Sequence, residues 1–160
     1  GGDEARRDLI RMYLRGYGPA PPAAIAAWSG LTGLGPLLTA MEADWELVKL
    51  TGPDGRELFD LDGLALATGN EAPPIRLLAP YDGVLVANAD RDRVADRDVY
   101  RATVTANGRS PGFVLVDGRL AGTWRLADGE VELTELTDLT SAQRSGVERE
   151  AGRLAAFAAG

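Results

Sequence analysis

The residues in this chain best suited to chemistry are arginines set among aspartates. The run DRDRVADRD, residues 90–98, carries Arg91, Arg93 and Arg97, with Arg101 close behind. A guanidinium is a planar fork of donors that matches the oxygens of a phosphate, so one chemistry for this run is the gripping of anions. Asp90, Asp92, Asp96 and Asp98 lie between the arginines and give a second reading, a solvated loop that neutralises itself. A calcium loop is a third, since Asp90 and Asp92 stand at positions 1 and 3. It fails at position 5, which is Val94, at the position-6 glycine, which is Ala95, and at the position-12 glutamate, which is Arg101. Phosphate grip and neutral loop both remain open.

A second group lies in FVLVDGRLAGTWRL, residues 113–126, which reads as two apolar strands about an Asp-Gly turn. Arg119 sits beside that turn, and strand alternation puts Arg125 on the face opposite Trp124. Trp124 reads first as a core residue. Tyr81-Asp82 follows Pro80 at the entry to an expected strand, where Asp82 suits a buried carboxylate that orients an arginine or caps a turn better than it suits a general base. With no His and no Cys, the chain lacks imidazole acid–base chemistry, histidine triads, thiolate metal sites and disulfides. Carboxylates, Lys49, tyrosines and hydroxyls remain, and the sequence selects no catalytic set among them. No metal site and no cofactor is expected.

The net charge of −7 opposes bulk attraction to nucleic acid, but it is unevenly spread. Residues 81–127 hold seven Arg against six Asp, whereas 17–61 hold two basic residues against six acidic and 128–160 hold three against seven. An anion-facing surface is therefore expected from the middle segment or the first helix. At 160 residues, with 45% hydrophobic and 26% charged, the composition is that of a folded soluble protein. No run of 18 apolar residues and no signal-peptide pattern occurs, so a cytoplasmic location without membrane contact is expected. Two glycines and no initiator methionine at the start leave room for a longer parent chain.

These residues need elements to position them. Leu9, Ile10, Tyr13, Leu14 and Tyr17 draw one apolar stripe on a helix over 3–16. Pro21 and Pro22 open a short second helix with Ile25, Ala26 and Trp28, and Leu34, Leu37, Leu38 and Met41 mark a third. WELVKL and ELFDL flank a Pro-Asp-Gly turn and read as a hairpin. Three helices and a hairpin predict a winged helix-turn-helix domain over 1–61. The small and polar run 62–74, ending in two prolines, is the expected linker. Over 75–160 the period changes to that of strands, near 75–78, 84–87, 100–106, 113–116, 119–126 and 130–136. Asn107-Gly108, Asp117-Gly118 and Asp128-Gly129 punctuate them, which predicts an antiparallel meander closing into a barrel-like domain. Thr140 and Gln143 form a capping box for a C-terminal helix with Val147, Ala151, Leu154, Phe157 and Ala158 on its buried side. The fold class expected is α+β.

At this point the residues carry a resemblance. RLLAPYDGVLVANADRDRV, then SPGFVLVDGRLAGTWRL and a terminal helix, resemble the C-terminal half of the bacterial winged-helix DNA-binding-domain family, and GYGPAPPAAIAAWSGL resembles its middle helix-turn-helix. That family includes DNA glycosylases that unhook interstrand crosslinks and excise alkylated bases. The resemblance covers about residues 5–158. It implies double-stranded DNA as partner, with Arg91, Arg93, Arg97, Arg101, Arg109, Arg119 and Arg125 as phosphate contacts and Tyr81, Asp82 and Trp124 as their support. The family's glycosylases carry a Gln-x-Gln or Gln-x-Asp motif in a first winged helix, whereas the single glutamine here is Gln143 in the terminal helix. No catalytic residue is carried over, and a missing N-terminal winged helix of the same chain becomes an expected partner.

The first expectation is thus a DNA-binding and scaffolding part of a glycosylase-like repair protein, nucleoid-associated if it binds DNA. The third helix, Leu34 to Asp44, has no basic residue and two acidic ones, and the wing offers only Lys49 and Arg56, which is poor equipment for reading bases. A second expectation is accordingly a protein-interaction or dimerisation module that uses the acidic winged helix. A hydrolase built on the Asp cluster and a divalent ion is the third, and it requires carboxylates that converge.

Overall fold

A computed structural model describes residues 2–64, 69, 72–86, 88–105 and 108–160. The described residues divide into two compact units, the first drawn from Gly1–Ala67 and Ala87–Asp90 and the second from Thr68–Val86 and Arg91–Gly160. Of the expected linker, residues 65–68, 70 and 71 lie outside the described residues.

The first unit is three helices and a hairpin: α1 (Gly2–Tyr17), α2 (Pro22–Ser29), α3 (Leu34–Ala43), β1 (Leu47–Thr51) and β2 (Glu57–Leu61). The apolar stripe read on α1 is the buried one. Ile10, Tyr13 and Leu14 pack with Ile25 of α2, Leu38 and Met41 of α3, and Leu47 and Phe59 of the hairpin. Pro22 opens α2, where a missing N–H costs nothing, and Gly30 closes it in the left-handed conformation. Just past α3, Trp45 takes a φ of 60°, which lets the Glu46 N–H turn back to the Met41 carbonyl at 2.9 Å.

The second unit is built on one sheet. β3 (Arg76–Leu78), β4 (Gly112–Val116), β5 (Arg119–Ala127) and β6 (Glu130–Glu135) run antiparallel in that order, and α6 (Ser141–Ala158) follows. Both Asp-Gly turns take positive φ at both residues, 51° and 74° at Asp117-Gly118 and 51° and 84° at Asp128-Gly129, which is the hairpin geometry the dipeptides favour. β4 is apolar along its whole length because both sheet faces are covered. Phe113 and Leu115 join Leu120, Leu85 and Ala95 on one face, while Val114 and Val116 join Ala121 and Val147 of α6 on the other. A register shift between Val114 and Leu115 leaves Ala121 as the extra residue of a bulge and changes the phase of β5, so that Ala121 and Trp124, three apart, serve the same core.

The sheet is open, with β3 and β6 at its edges, and this corrects the expected barrel. Two of the six expected strands supply helix instead: α4 (Gly83–Val86) lies in the run 84–87, and α5 (Arg97–Arg101) reaches the run 100–106. Short apolar runs suit helix and strand equally, and local capping decides between them. The Asp82 carboxylate accepts the Val84 N–H at 2.9 Å and its carbonyl accepts that of Val86 at 2.9 Å, so the chain turns helical before it can extend. Residues 87, 106 and 107, which fall on the expected second strand, third strand and Asn107-Gly108 turn, lie outside the described residues. The capping box forms as read: Thr140 accepts from the Gln143 N–H, and the Gln143 side chain reaches back to the Thr140 N–H. α6 buries Gly146, Val147 and Ala151, whereas Phe157, expected inside, is 83% exposed. Among the described residues no single helix is long and apolar enough to cross a membrane.

Candidate functional site

The arginine run divides by occupation. Asp90 is buried in the first unit, where its carboxylate accepts from Arg56 at 3.0 Å. Arg91 opens a 3₁₀ turn, Arg91–Arg93, in the second unit. Its Nε donates to the Leu85 carbonyl and its Nη2 to that of Val86 at 3.3 Å, while the guanidinium lies 4.1 Å from the centre of the Tyr100 ring. Arg91 thus caps the last carbonyls of α4 and stacks on an aromatic face. Arg119 reaches across from the β4–β5 turn. Its Nη1 donates to the carbonyls of Asp92 at 3.2 Å and Arg93 at 3.1 Å, and its Nη2 donates to the Asp96 carboxylate. The Leu120 N–H adds a 2.7 Å bond to the Val94 carbonyl, so the hairpin turn ties down residues 92–96.

Other arginines face outward. Arg97 and Arg101 lie four apart on α5 and share a face. Among the described residues the Arg97 side chain makes no hydrogen bond or ion pair, and Arg101 meets Asp98 at 3.3 Å with its own side chain 70% exposed. Arg93 and Arg109 are exposed. Arg125 is exposed and pairs with its cross-strand neighbour Glu132.

Beside α5 the second unit holds an open cleft of about 150 Å³. Phe113 and Pro111 form part of its lining with Val86, Tyr100 and Val104, and Tyr81, Arg109 and Ser110 line it too. The structure brings Arg109 and Tyr81 together here, which sequence spacing does not suggest. Tyr81 is 59% exposed at a φ of 62°, and its N–H donates to the Ser110 hydroxyl at 3.1 Å. Asp82 caps α4 as described. Trp124 donates its Nε1–H to the Leu78 carbonyl at 2.8 Å and lies flat against Gly112, where a Cβ would collide with the indole. It locks β3 and β4 to β5.

Most of the first unit's cations are occupied, whereas Arg15 near the end of α1 is exposed and its side chain makes no hydrogen bond or ion pair among the described residues. The Lys49 ammonium lies 3.1 Å from Glu57 and 3.6 Å from Glu42, and the Glu57 hydrogen bond above all holds its pKa above the ordinary value. Arg56 binds Asp54 and Asp90, which raise its pKa in that order. Arg11 hydrogen-bonds Glu4 at 2.8 Å, Glu46 at 2.6 and 2.8 Å and Asp8 at 2.6 Å, with its pKa raised chiefly by Glu4 and then Glu46. Arg7 bonds Asp44 at 2.8 Å and also Glu46. The first helix, one of the two expected sources of an anion-facing surface, thus uses these two arginines to join the α3–β1 connection. Gln143 is held by its capping box and by a 2.8 Å bond from its Nε2 to Asp117. Among the described residues no three acidic side chains converge, the condition that the hydrolase reading required.

Besides Phe157, sequence reasoning missed the exposure of two further aromatics. Trp45 is 82% exposed and Tyr81 59%, both at positive φ. A helix C-terminus at Asp44 signals the first, because left-handed positions there favour Gly or Asn and Trp is out of place. The second has no local signal, since its exposure depends on Ser110, 29 residues away.

The chain matches the family "DNA glycosylase AlkZ-like" over residues 2–157. It is 32% identical over 159 residues to an interstrand DNA cross-link repair glycosylase of Streptomyces sahachiroi, a match covering 96% of this chain and 43% of the relative. Among solved structures it is similar to Streptomyces sahachiroi DNA glycosylase AlkZ with a TM-score of 0.78 at 29% identity, over 98% of this chain and 44% of that one. The chain therefore spans less than half the length of the relatives it matches.

Proposed function

This chain belongs to the AlkZ-like DNA glycosylase family, and from that membership we propose that it is a DNA-binding and scaffolding part of a repair glycosylase, with double-stranded DNA as its partner. The observation that carries this reading is the family match over residues 2–157, which runs through the whole arginine segment. In this reading residues 1–61 are a winged helix, 62–74 a linker and 75–160 the sheet domain. α3 holds the recognition-helix place but acts as scaffold, because it buries Leu34, Leu37, Leu38 and Met41 and carries no cation. The wing has no cation to spare either.

Phosphate contact falls instead to the second unit. Arg97 and Arg101 on α5, with Arg93, Arg109 and Arg125, present exposed guanidiniums, while Arg91 and Arg119 fix the backbone that carries them. Asp82 and Trp124 support the same surface through α4 and the sheet. Hydrolysis of the glycosidic bond is assigned to a part of the protein outside these 160 residues, since the glutamine present serves a helix cap. Anisotropy of a labelled duplex, titrated at low and moderate salt, tests this. Binding that weakens with salt, with a shallow slope because few phosphates are engaged, is expected, and the triple substitution of Arg97, Arg101 and Arg109 to Gln removes most of it. Absence of binding at low salt overturns the reading.

A specific observation favours a second reading, an interaction surface on the first unit. Trp45 stands 82% exposed between Asp44 and Glu46, where an apolar ring in water contributes nothing to the fold. Gel filtration with multi-angle scattering, at rising concentration and with Trp45→Ser, separates self-association through this residue from a monomer.

A further inference from the structure

The cleft beside α5 has a lining that phosphate binding does not explain. Phosphate contact calls for donors, yet much of this surface is carbon: Val104 is 66% exposed and Val86 40%, with Pro111 and Phe113 beside them. Tyr81 adds an aromatic ring that is largely uncovered. The backbone beneath the ring is left-handed, a conformation that costs a bulky L-residue roughly 1 kcal/mol and that glycine adopts without strain. A tyrosine at that position and left out of the core carries a backbone cost that its own packing does not offset. The lining also includes the hydroxyls of Thr105 and Ser110 and the cation Arg109, and Tyr100 brings to it the helix that carries Arg97 and Arg101.

We propose that this cleft receives one unpaired base of a DNA strand, stacked on Tyr81, with the adjoining phosphates facing Arg97, Arg101 and Arg109. The occupant must be flat and apolar on its faces to fit a Tyr–Val–Pro lining. It must also be tethered to negative charge, because the cations of this region stand out in a chain of net charge −7. A base in a nucleic-acid strand meets both conditions. Stacking on a single ring is indifferent to which base is present, so the site recognises the unpaired state and not the sequence. The inference rests on the DNA-binding reading above and adds a ligand to it.

The test compares three labelled DNAs by anisotropy with the 160-residue chain: a fully paired duplex, the same duplex with one extrahelical base, and a single strand. The wild type and Tyr81→Phe are expected to bind the duplex with the extrahelical base on the order of tenfold more tightly than the paired one. Tyr81→Gly suits the left-handed backbone, so it removes the ring and keeps the fold, which its thermal midpoint verifies. It is expected to bind both duplexes equally, at the wild-type affinity for the paired one. Equal affinities in the wild type, or a preference that survives in Tyr81→Gly, overturn the base site and leave the phosphate reading standing. No binding to any of the three overturns both.

Discussion

Arginines four residues apart stand on α1 as Arg7 and Arg11, on α5 as Arg97 and Arg101 and on α6 as Arg149 and Arg153, and the first two pairs differ most. The spacing is the same and the employment is opposite. On α1 the side chains are 20% and 24% exposed and grip Asp44, Glu46, Glu4 and Asp8. On α5 Arg101 meets only one described carboxylate, Asp98, itself 93% exposed, and Arg97 meets none. The difference arises in the partners. Glu46 lies 35 residues beyond Arg11 and returns to it because α3 and the hairpin pack on α1, whereas among the described residues no carboxylate from another element returns to Arg97 or Arg101. An arginine pair becomes a structural clamp or stays turned to solvent according to what the fold brings back to it.

The strongest way to break this comparison is Glu46→Ala. It strips Arg7 of one partner and Arg11 of two hydrogen bonds, and a network of this kind contributes more than an isolated surface pair. The thermal midpoint is expected to fall by several degrees. Asp98→Ala removes the carboxylate from the other pair, leaves the midpoint unchanged and strengthens duplex binding, because Arg101 loses a competitor. A Glu46→Ala midpoint equal to wild type shows that the α1 arginines clamp nothing.

A smaller effect is expected between these extremes, at Arg119. Its guanidinium serves two backbone carbonyls and the Asp96 carboxylate from a position half open to water. Arg119→Ala removes them at a cost of about 1–2 kcal/mol. Hydrogen exchange is expected to rise at the Leu120 amide and over residues 91–96 while β4 stays protected. Unchanged exchange there means that the Leu120–Val94 bond holds the segment alone.

Much of this architecture was legible before any coordinates. The α1 stripe, the proline that opens α2, the two Asp-Gly turns and the Thr140–Gln143 box depend on residues within a few positions of one another, and each formed as read. Failure began where local rules tie. GVLV and the residues from 97 suit strand or helix, and both turn helical, the first behind the Asp82 cap, which leaves a sheet open where a barrel is expected. The seven arginines were visible as a group, but their separation into clamps and outward-facing groups was not. That separation depends on contacts such as Arg119 to Asp96, 23 residues apart, and Arg11 to Glu46. The Tyr81 cleft was hidden for the same reason, since it needs residues 81–86, 100–105 and 108–113 to meet.

The finest test of the comparison uses a pair that belongs to neither extreme. Arg144 on α6 holds Glu135 at the end of β6 through two bonds of 2.7 and 2.9 Å, with both side chains nearly half exposed. The guanidinium lowers the Glu135 carboxyl below its ordinary 4.5, mainly by hydrogen bonding. A carboxyl lowered by folding stabilises the native state while it is ionised, so the contribution is complete above the ordinary value and fades as pH falls through the lowered one. Thermal midpoints of wild type and Glu135→Gln are therefore expected to differ slightly at pH 7 and to converge on acidification. The gap is small because water screens the pair. A gap that persists undiminished to low pH assigns it to packing of the side chain, and the pair then joins the exposed arginines of α5 in adding nothing electrostatic to the fold.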